Sequence, residues 1–299
     1  MSASTLDTTA ARDAFDRLLV QLRPKLHRYC ARMTGSVIDG EDVLQEAIVN
    51  AIEALPDAGP IAHPEGWLFR IAHNASLDFL RRCARRDALH SAEDPDMILD
   101  PVSAVEDRQV AATSLRTFMR LPVVQRSSVI LMDVLGYTLQ EICEVMRLSL
   151  PAVKAALNRG RARLRELAQE PDDLPRPVLA EPQRSLLAAY VDRFNARDFD
   201  SIRDMLADEV RLEVVSRTRM SGKSEVGKYF GNYSLAQDWR LVPGFVDRRP
   251  AILVRDPRDP SGRPTYFVLL DWVEDRLVSI RDFRHARYAA QDAELLMLD

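Results

Sequence analysis

The sequence holds only three cysteines, Cys30, Cys83 and Cys143, widely separated and odd in number. That excludes a disulfide framework. With no CxxC pair there is no metal-binding cysteine pattern either, and the usage fits a reducing cytosol. Long apolar runs are missing as well. Uninterrupted apolar runs, such as 129–132 and 266–270, fall far short of the ~20 residues a membrane span needs. The N-terminus has no basic segment leading into an apolar stretch, so no secretory signal is expected. No internal repeat or low-complexity tract is found. An excess of positive charge is absent too: 41 Lys and Arg against 45 Asp and Glu give a net charge of −4. Taken alone, that total argues against a nucleic-acid binder. What is present is 299 residues, 46% of them apolar, a length that suits two or three globular domains.

Counted by segment, the charges fall into blocks. Residues 1–170 and 171–299 each sum to −2. Asp39, Glu41, Asp42 and Glu46 form an acidic block. Arg70, Arg81, Arg82, Arg85 and Arg86 set five positive charges against Asp78. Glu93, Asp94, Asp96 and Asp100 are acidic again, beside Pro95 and Pro101. Lys154, Arg159, Arg161, Arg163 and Arg165 make a second basic block. A single block reads as a solvated helix face. Two basic blocks on separate helices, divided by an acidic linker, suit a protein that grips one polyanion at two places.

Apolar residues at three- and four-residue steps predict helices over 11–33, from Asp39 to about 55, and over 64–86. Asp39 is the expected cap of the second, with Gly35 and Gly40 bracketing a turn. Residues 56–64 hold three prolines and form a loop. Residues 88–105 read as a flexible linker. Four short helices are expected near 106–120, 122–135, 138–147 and 150–168. A proline-rich second linker covers 169–183. Beyond it the pattern changes to helices at 185–196 and 199–207, a helix at 222–233, and alternating strand segments at 210–215, 240–245, 251–255, 265–273 and 276–285. That is an α+β unit after an all-helical part.

The stretch from Thr138 to Arg163 has the logic of a helix-turn-helix. Ile142 with Val145 or Met146 face inward on the first helix, a tight turn spans 147–149, Ser149 is the expected cap of the second, and Pro151 fits its first turn. Val153, Leu157, Gly160 and Leu164 form the inward stripe. Lys154, Ala155, Asn158, Arg159 and Arg161 then face outward, types that bond base edges or phosphates in a major groove. Arg147 takes a turn position where glycine is usual, and Gly160 lies inside the second helix. Strain at the one and weakening at the other are expected.

Four ordered motifs now stand together: DGEDVLQE at 39–46, GWLFRIAHNASLDFLRR at 66–82, LPVVQR at 121–126 with DVLGYTLQEI at 133–142, and AVKAALNRGRARL at 152–164. Over residues 11–168 the chain resembles the extracytoplasmic-function sigma factors of the sigma-70 family. The resemblance implies two all-α domains, sigma-2 (11–87) and sigma-4 (106–168), joined by the linker at 88–105. It implies that Asp39, Glu41, Asp42, Gln45 and Glu46 dock on the β′ clamp of core RNA polymerase, with sigma-4 at the β flap. It implies that Arg70, Asn74, Asp78, Arg81 and Arg82 read the −10 element, that the loop 56–66 captures a flipped base, and that Lys154, Ala155, Asn158, Arg159 and Arg161 read the −35 element. Trp67 is expected in the core. No catalytic residue, cofactor or metal is implied; polymerase supplies the chemistry, and no membrane is involved.

Residues 184–299 resemble SnoaL-like domains of the cone-shaped superfamily that includes nuclear transport factor 2 and ketosteroid isomerase, most clearly over 190–214. Asp192, Tyr229, Trp239, Asp271, Asp282 and His285 are candidate polar or aromatic lining, with Tyr229, Trp239, Asp282 and His285 the residues expected at a ligand pocket. Strand alternation alone does not show which face is concave. The reading is a cytoplasmic sigma factor regulated in cis by this domain. A polymerase-independent DNA-binding regulator, and an isomerase or hydrolase with a DNA-binding module, stay open as alternatives.

Overall fold

Periodic leucines and aromatics build the first helix. In the computed structural model, which describes residues 3–88, 114–170, 175–236 and 238–298, α1 runs Ala3–Thr34 and buries Phe15, Leu19, Leu22, Leu26 and Tyr29. Helix α2 is Val37–Ala54. Its cap is Ser36, not Asp39: the Ser36 Oγ accepts from the N–H groups of Ile38 and Asp39 at 3.2 and 3.3 Å. Asp39 instead lies in the first turn, where a carboxylate complements the helix dipole. Gly40 is inside α2 rather than in a turn. A methyl group there would stand 2.6 Å from the backbone N and Cα of Ala31, so α1 and α2 cross with their backbones in contact. A 3-10 turn, Leu55–Asp57, leads to the loop before α3, Pro64–Ala88.

The chain continues with α4 (Leu115–Met119), α5 (Val123–Val129) running into a π-type turn (Ile130–Val134), α6 (Leu139–Met146) and α7 (Leu150–Leu167). The expected linker at 88–105, its acidic block, the start of the helix expected at 106–120 and part of the linker at 169–183 lie outside the described residues.

Met1–Asp172 is one compact unit, and it holds one core. Tyr29, Met33 and Phe69 from α1 and α3 belong to the same apolar cluster as Phe118, Ile130, Ile142 and Leu157. The two helical domains expected as separate therefore share their interior.

Asp173–Asp299 is the second unit. Its order is α8 (Gln183–Asn195), α9 (Phe199–Met205), β1 (Leu206–Val214), β2 (Thr218–Ser221), α10 (Lys223–Leu235), β3 (Arg240–Val246), β4 (Arg249–Arg255), β5 (Pro264–Val273), β6 (Arg276–Asp282), α11 (Tyr288–Asp292) and β7 (Leu295–Met297). This is the α+β class expected. The short elements β2, α11 and β7 were not, being too brief to carry a period. The sheet order is β2-β1-β6-β5-β4-β3-β7; β1 and β6 run parallel and the other pairs antiparallel. The register sets Val214, Asp282, Val268 and Ile252 side by side. Asp282 thus occupies an otherwise apolar row facing the helices.

Candidate nucleic-acid interface

Helix α3 presents its polar residues at helical steps. Asn74, Asp78, Arg81 and Arg82 are exposed and Arg70 is half-buried, so the residues proposed for the −10 element share one face. Arg81 pairs with Asp78 at 2.6 Å. Arg82 reaches across to α2 and grips Glu46 with both Nη atoms, at 3.1 and 2.6 Å. Opposite face residues, such as Phe69, Ala72 and Ala75, are buried. His73 is buried too; its Nδ1 lies 2.7 Å from the Tyr29 hydroxyl, and burial lowers its pKa to about 4.

The acidic helix α2 divides its carboxylates. Asp42 is exposed; Asp39, Gln45 and Glu46 are half-buried. Glu41 is buried and paired with Arg23 of α1. Its work is therefore within the helical core, and the face open to a protein partner centres on Asp42 and Glu46.

Helices α6 and α7 form the expected helix-turn-helix. Thr138 and Glu141 make a reciprocal capping box, the Thr138 N–H donating to the Glu141 carboxylate at 2.8 Å. Arg147 ends α6 in the left-handed region, φ 54 and ψ 42, where a side chain costs what glycine does not. Ser149 holds the cap position of α7 with extended backbone, but its side chain makes no capping hydrogen bond. Val153, Leu157, Gly160 and Leu164 point inward as expected. Gly160 is a place of close approach, because a methyl group there would stand 2.7 Å from Cγ2 of Val129. On the outer face Lys154 and Asn158 are exposed and Ala155 and Arg159 half-buried. Arg161 departs from the group. Its guanidinium grips the buried Asp133 with both nitrogens, so it anchors α7 to the π-type turn.

Beside the start of α3, a groove of about 310 Å³ is lined by Ile61, His63, Trp67 and Arg70, with Glu144 from α6 on its rim. Trp67 is half-buried, packs on the core and meets Phe15 edge-on at 6.1 Å between ring centroids. It belongs both to the core and to the groove wall. The halves are tied by residues that the motifs did not single out. Glu65 of α3 accepts from Lys25 of α1 and from the Tyr137 hydroxyl, each at 2.6 Å. The Lys25 ammonium lies 4.2 Å from the Tyr137 ring centroid. Arg126 of α5 is buried; it donates to the Met33 carbonyl at 2.6 Å and to those of Met119 and Leu121 at 3.1 and 3.0 Å. One guanidinium so caps the carboxyl ends of α1 and α4, and burial lowers its pKa to about 10. Their sequence signal was weak: only Arg126 and Tyr137 fall inside quoted motifs.

In the second unit the candidates separate. Asp282 is buried, and its Oδ2 accepts from the Tyr229 hydroxyl and from that of Tyr233 at 2.6 Å. Its Oδ1 accepts the Arg284 N–H at 2.8 Å. Burial, and then the Asp282 charge, hold both tyrosine pKa values well above the usual range. The cavity beside them, between Tyr190, Tyr229, Tyr233 and Ile252, has room for about 10 Å³, at most one water. His285, Asp271 and Asp192 are exposed. Trp239 packs edge-on against Phe194 and Tyr233 and donates to the Tyr233 carbonyl at 3.3 Å. Neither His285 nor Trp239 lines the cavity, which corrects their assignment: Trp239 precedes β3 and His285 follows β6, so both lie beyond the strand ends.

Comparison with known proteins agrees with the helical geometry. The family model for sigma-70 region 2 matches residues 18–86 and that for sigma-70 region 4 matches residues 115–164. The chain is 34% identical over 156 residues to the ECF RNA polymerase sigma factor SigM of Mycobacterium tuberculosis, covering 52% of this chain and 78% of SigM. It is 29% identical to SigG of the same species across an alignment covering 87% of this chain and 78% of SigG. Among solved structures, the extracytoplasmic-function sigma factor SigJ of M. tuberculosis aligns over 88% of this chain and 93% of its own, at 18% identity and a TM-score of 0.33.

Proposed function

The chain belongs to the extracytoplasmic-function RNA polymerase sigma factors of the sigma-70 family, and from that premise we propose how its parts share the work. As a sigma factor it acts with core RNA polymerase on promoter DNA. The observation that carries the finer reading is the pair of helix faces in one helical unit: Arg70, Asn74, Asp78, Arg81 and Arg82 on α3, and Lys154, Ala155, Asn158 and Arg159 on α7. Residues 11–87 hold the −10 element and residues 106–168 read the −35 element. Asp42 and Glu46 meet the β′ clamp, and the second helical part meets the β flap. Single-stranded bases held at the groove by α3 shift the duplex towards its melted form. Arg161 supports α7 through Asp133 rather than reading bases.

The unit at 184–299 regulates the sigma factor in cis. No catalytic residue, cofactor or metal is assigned to it. The three donors on Asp282 and a cavity of about 10 Å³ leave that carboxylate no room to meet a substrate. The place of action is the cytoplasm, where polymerase and promoter are.

Transcription in vitro with core polymerase tests the reading. Asp42→Lys with Glu46→Lys should lower core binding at least tenfold while far-ultraviolet circular dichroism stays unchanged, since Asp42 is exposed and the Glu46–Arg82 ion pair that the second change breaks lies at the surface. Unchanged core binding removes the sigma-2 assignment and favours a polymerase-independent regulator. Residues 1–170 should transcribe at a rate different from the full chain; equal rates remove regulation in cis. Lys154→Ala should weaken −35 duplex binding by about 1–3 kcal/mol if the ammonium contacts a base. A phosphate contact instead weakens all sequences alike and lowers the salt slope by about one. Band-shift titrations at several salt concentrations separate the two.

A further inference from the structure

In the second unit the strand register gathers positive charge at one rim of the sheet. Val214 lies beside Asp282, Asp282 beside Val268, Tyr266 beside Val254, and Val254 beside Leu241. The carboxyl ends of β1, β6 and β4 and the amino ends of β5 and β3 therefore meet on one side. Arg217 sits in the turn after β1, Arg284, His285 and Arg287 follow β6, Arg255 closes β4 and Arg240 opens β3. Beside these strand ends five arginines meet one aspartate at the surface, Asp238, which pairs with Arg284 at 2.9 Å. Asp282 is buried beneath them. The loop 256–263 adds two arginines and two aspartates, which cancel. At the opposite rim the balance is reversed, with Asp204, Asp208, Glu274 and Asp275 against Arg276. A stretch whose charges sum to only −2 over residues 171–299 is thus polarised from one end of its sheet to the other.

Most of the rim cations have no counter-charge. Among the described residues Arg217, Arg240, Arg255 and the His285 ring have no hydrogen-bond or ion-pair partner, and the Nε of Arg255 is buried. Arg240 and Arg255 stand directly opposite each other in the β3–β4 register, a like-charge pair that costs stability. Burial, and then the Arg217 charge, lower the pKa of His285. Arg284 and Arg287 are held in place by aromatic rings: Arg284 lies 5.2 Å from the Tyr233 centroid, and both lie 5.7 Å from that of Tyr266. Repulsion built up in this way is relieved when an anion arrives.

The width of the rim decides which anion. From Arg217 to Arg240 the rim crosses β1, β6, β5, β4 and β3, four spacings of ~4.8 Å or about 19 Å. One phosphate or carboxylate cannot touch cations so far apart. A nucleic-acid strand can, because its phosphates recur every ~3.4 Å along the axis and about five of them cover that span. Guanidinium groups match phosphate oxygens through their forked geometry. We propose that this rim is a further, sequence-independent nucleic-acid contact, at which Arg217, Arg240, Arg255 and Arg287 lie along the phosphate backbone of promoter DNA. It rests on the sigma-factor reading, which supplies the DNA. It gives the second unit a share in promoter affinity separate from the helix faces of α3 and α7.

The measurement is holoenzyme affinity for a promoter duplex at several salt concentrations. Arg217→Ala with Arg240→Ala, made in the full chain and assembled with core polymerase, should weaken binding about tenfold near ~0.1 M salt. The salt slope should fall by about two, for promoter and unrelated duplexes alike. Both side chains are exposed, so circular dichroism should match wild type. Arg217→Lys with Arg240→Lys should keep the slope, because the slope counts phosphates neutralised. Arg276→Ala with Lys228→Ala removes the same charge away from the rim and should leave the slope unchanged. A slope that stays at the wild-type value in the rim variant, or falls equally in that control, overturns the proposal. Loss of core-polymerase binding with the slope unchanged overturns it too, the rim then facing a protein. A wild-type chain that binds no core polymerase overturns the sigma-factor reading instead.

Discussion

Gly40→Val is expected to unfold the helical unit under conditions where the wild-type chain is folded, and Gly40→Ala to cost it about 3 kcal/mol or more. The reasoning starts from propensity. A glycine inside a helix is less stable than alanine by ~1 kcal/mol, so substitution at an open position would help. Here the added Cβ would meet the Ala31 N and Cα at 2.6 Å and its Cβ at 3.0 Å. Two of these are backbone atoms of a helix, and they cannot rotate aside. Helices α1 and α2 must move apart, and the cluster that holds Leu26, Cys30, Val43 and Leu44 opens with them. Valine adds two more atoms at the same spot. Thermal unfolding followed at 222 nm measures the effect. A Gly40→Ala chain as stable as wild type would show that the crossing is looser than this geometry. The comparison with Asp42→Lys is instructive, because both positions lie in one acidic motif. The glycine variant loses polymerase binding by losing the fold; the charge variant loses it with the fold intact.

That motif also shows how far the sequence can be read. The order of blocks and the helix-turn-helix were legible because they rest on local period, capping and charge. Within the acidic block the same letters did different work. Asp39 was the expected cap, yet Ser36 holds that place because Val37 and Ile38 after it are buried, which moves the cap three residues earlier. Glu41 reads as a docking charge until tertiary structure brings Arg23 to it. Arg161 reads as a DNA contact until Asp133 arrives from 28 residues away.

Longer separations were not legible at all. Arg126 donates to a carbonyl 93 residues distant, and Tyr137 to a carboxylate 72 residues distant. No periodicity carries such information. The LPVVQR motif showed an arginine, but not that its partners would be carbonyls at two helix ends. In the second unit the missing information was register. Asp271 and Asp282 both lie on plausible strands. Pairing of Val268 with Asp282, and of Asp271 with Ser279, places one among apolar side chains and the other at the surface.

Asp282→Leu is therefore expected to cost the second unit about 3–5 kcal/mol, because the aspartate is a structural acceptor for three donors. Leucine is close in size and suits the row of Val214, Val268 and Ile252 beside it, so the loss comes from hydrogen bonding rather than volume. The Tyr229 and Tyr233 hydroxyls and the Arg284 N–H all lose their acceptor at once. The tyrosines are 6 and 4% exposed, so water cannot readily replace it. Removing the donors as well should restore much of the stability: Asp282→Leu with Tyr229→Phe and Tyr233→Phe leaves an apolar cluster with no hydroxyl to satisfy. An unfolding midpoint lowered by about 10–15 °C in the single variant and largely recovered in the triple one is the expected pattern. An isomerase-like carboxylate would behave in the opposite way. Its replacement by an apolar side chain would abolish turnover and leave stability level or raised, since sites held ready for a substrate carry unsatisfied groups at a cost. Equal midpoints for Asp282→Leu and wild type would remove the structural role and reopen the enzymatic one.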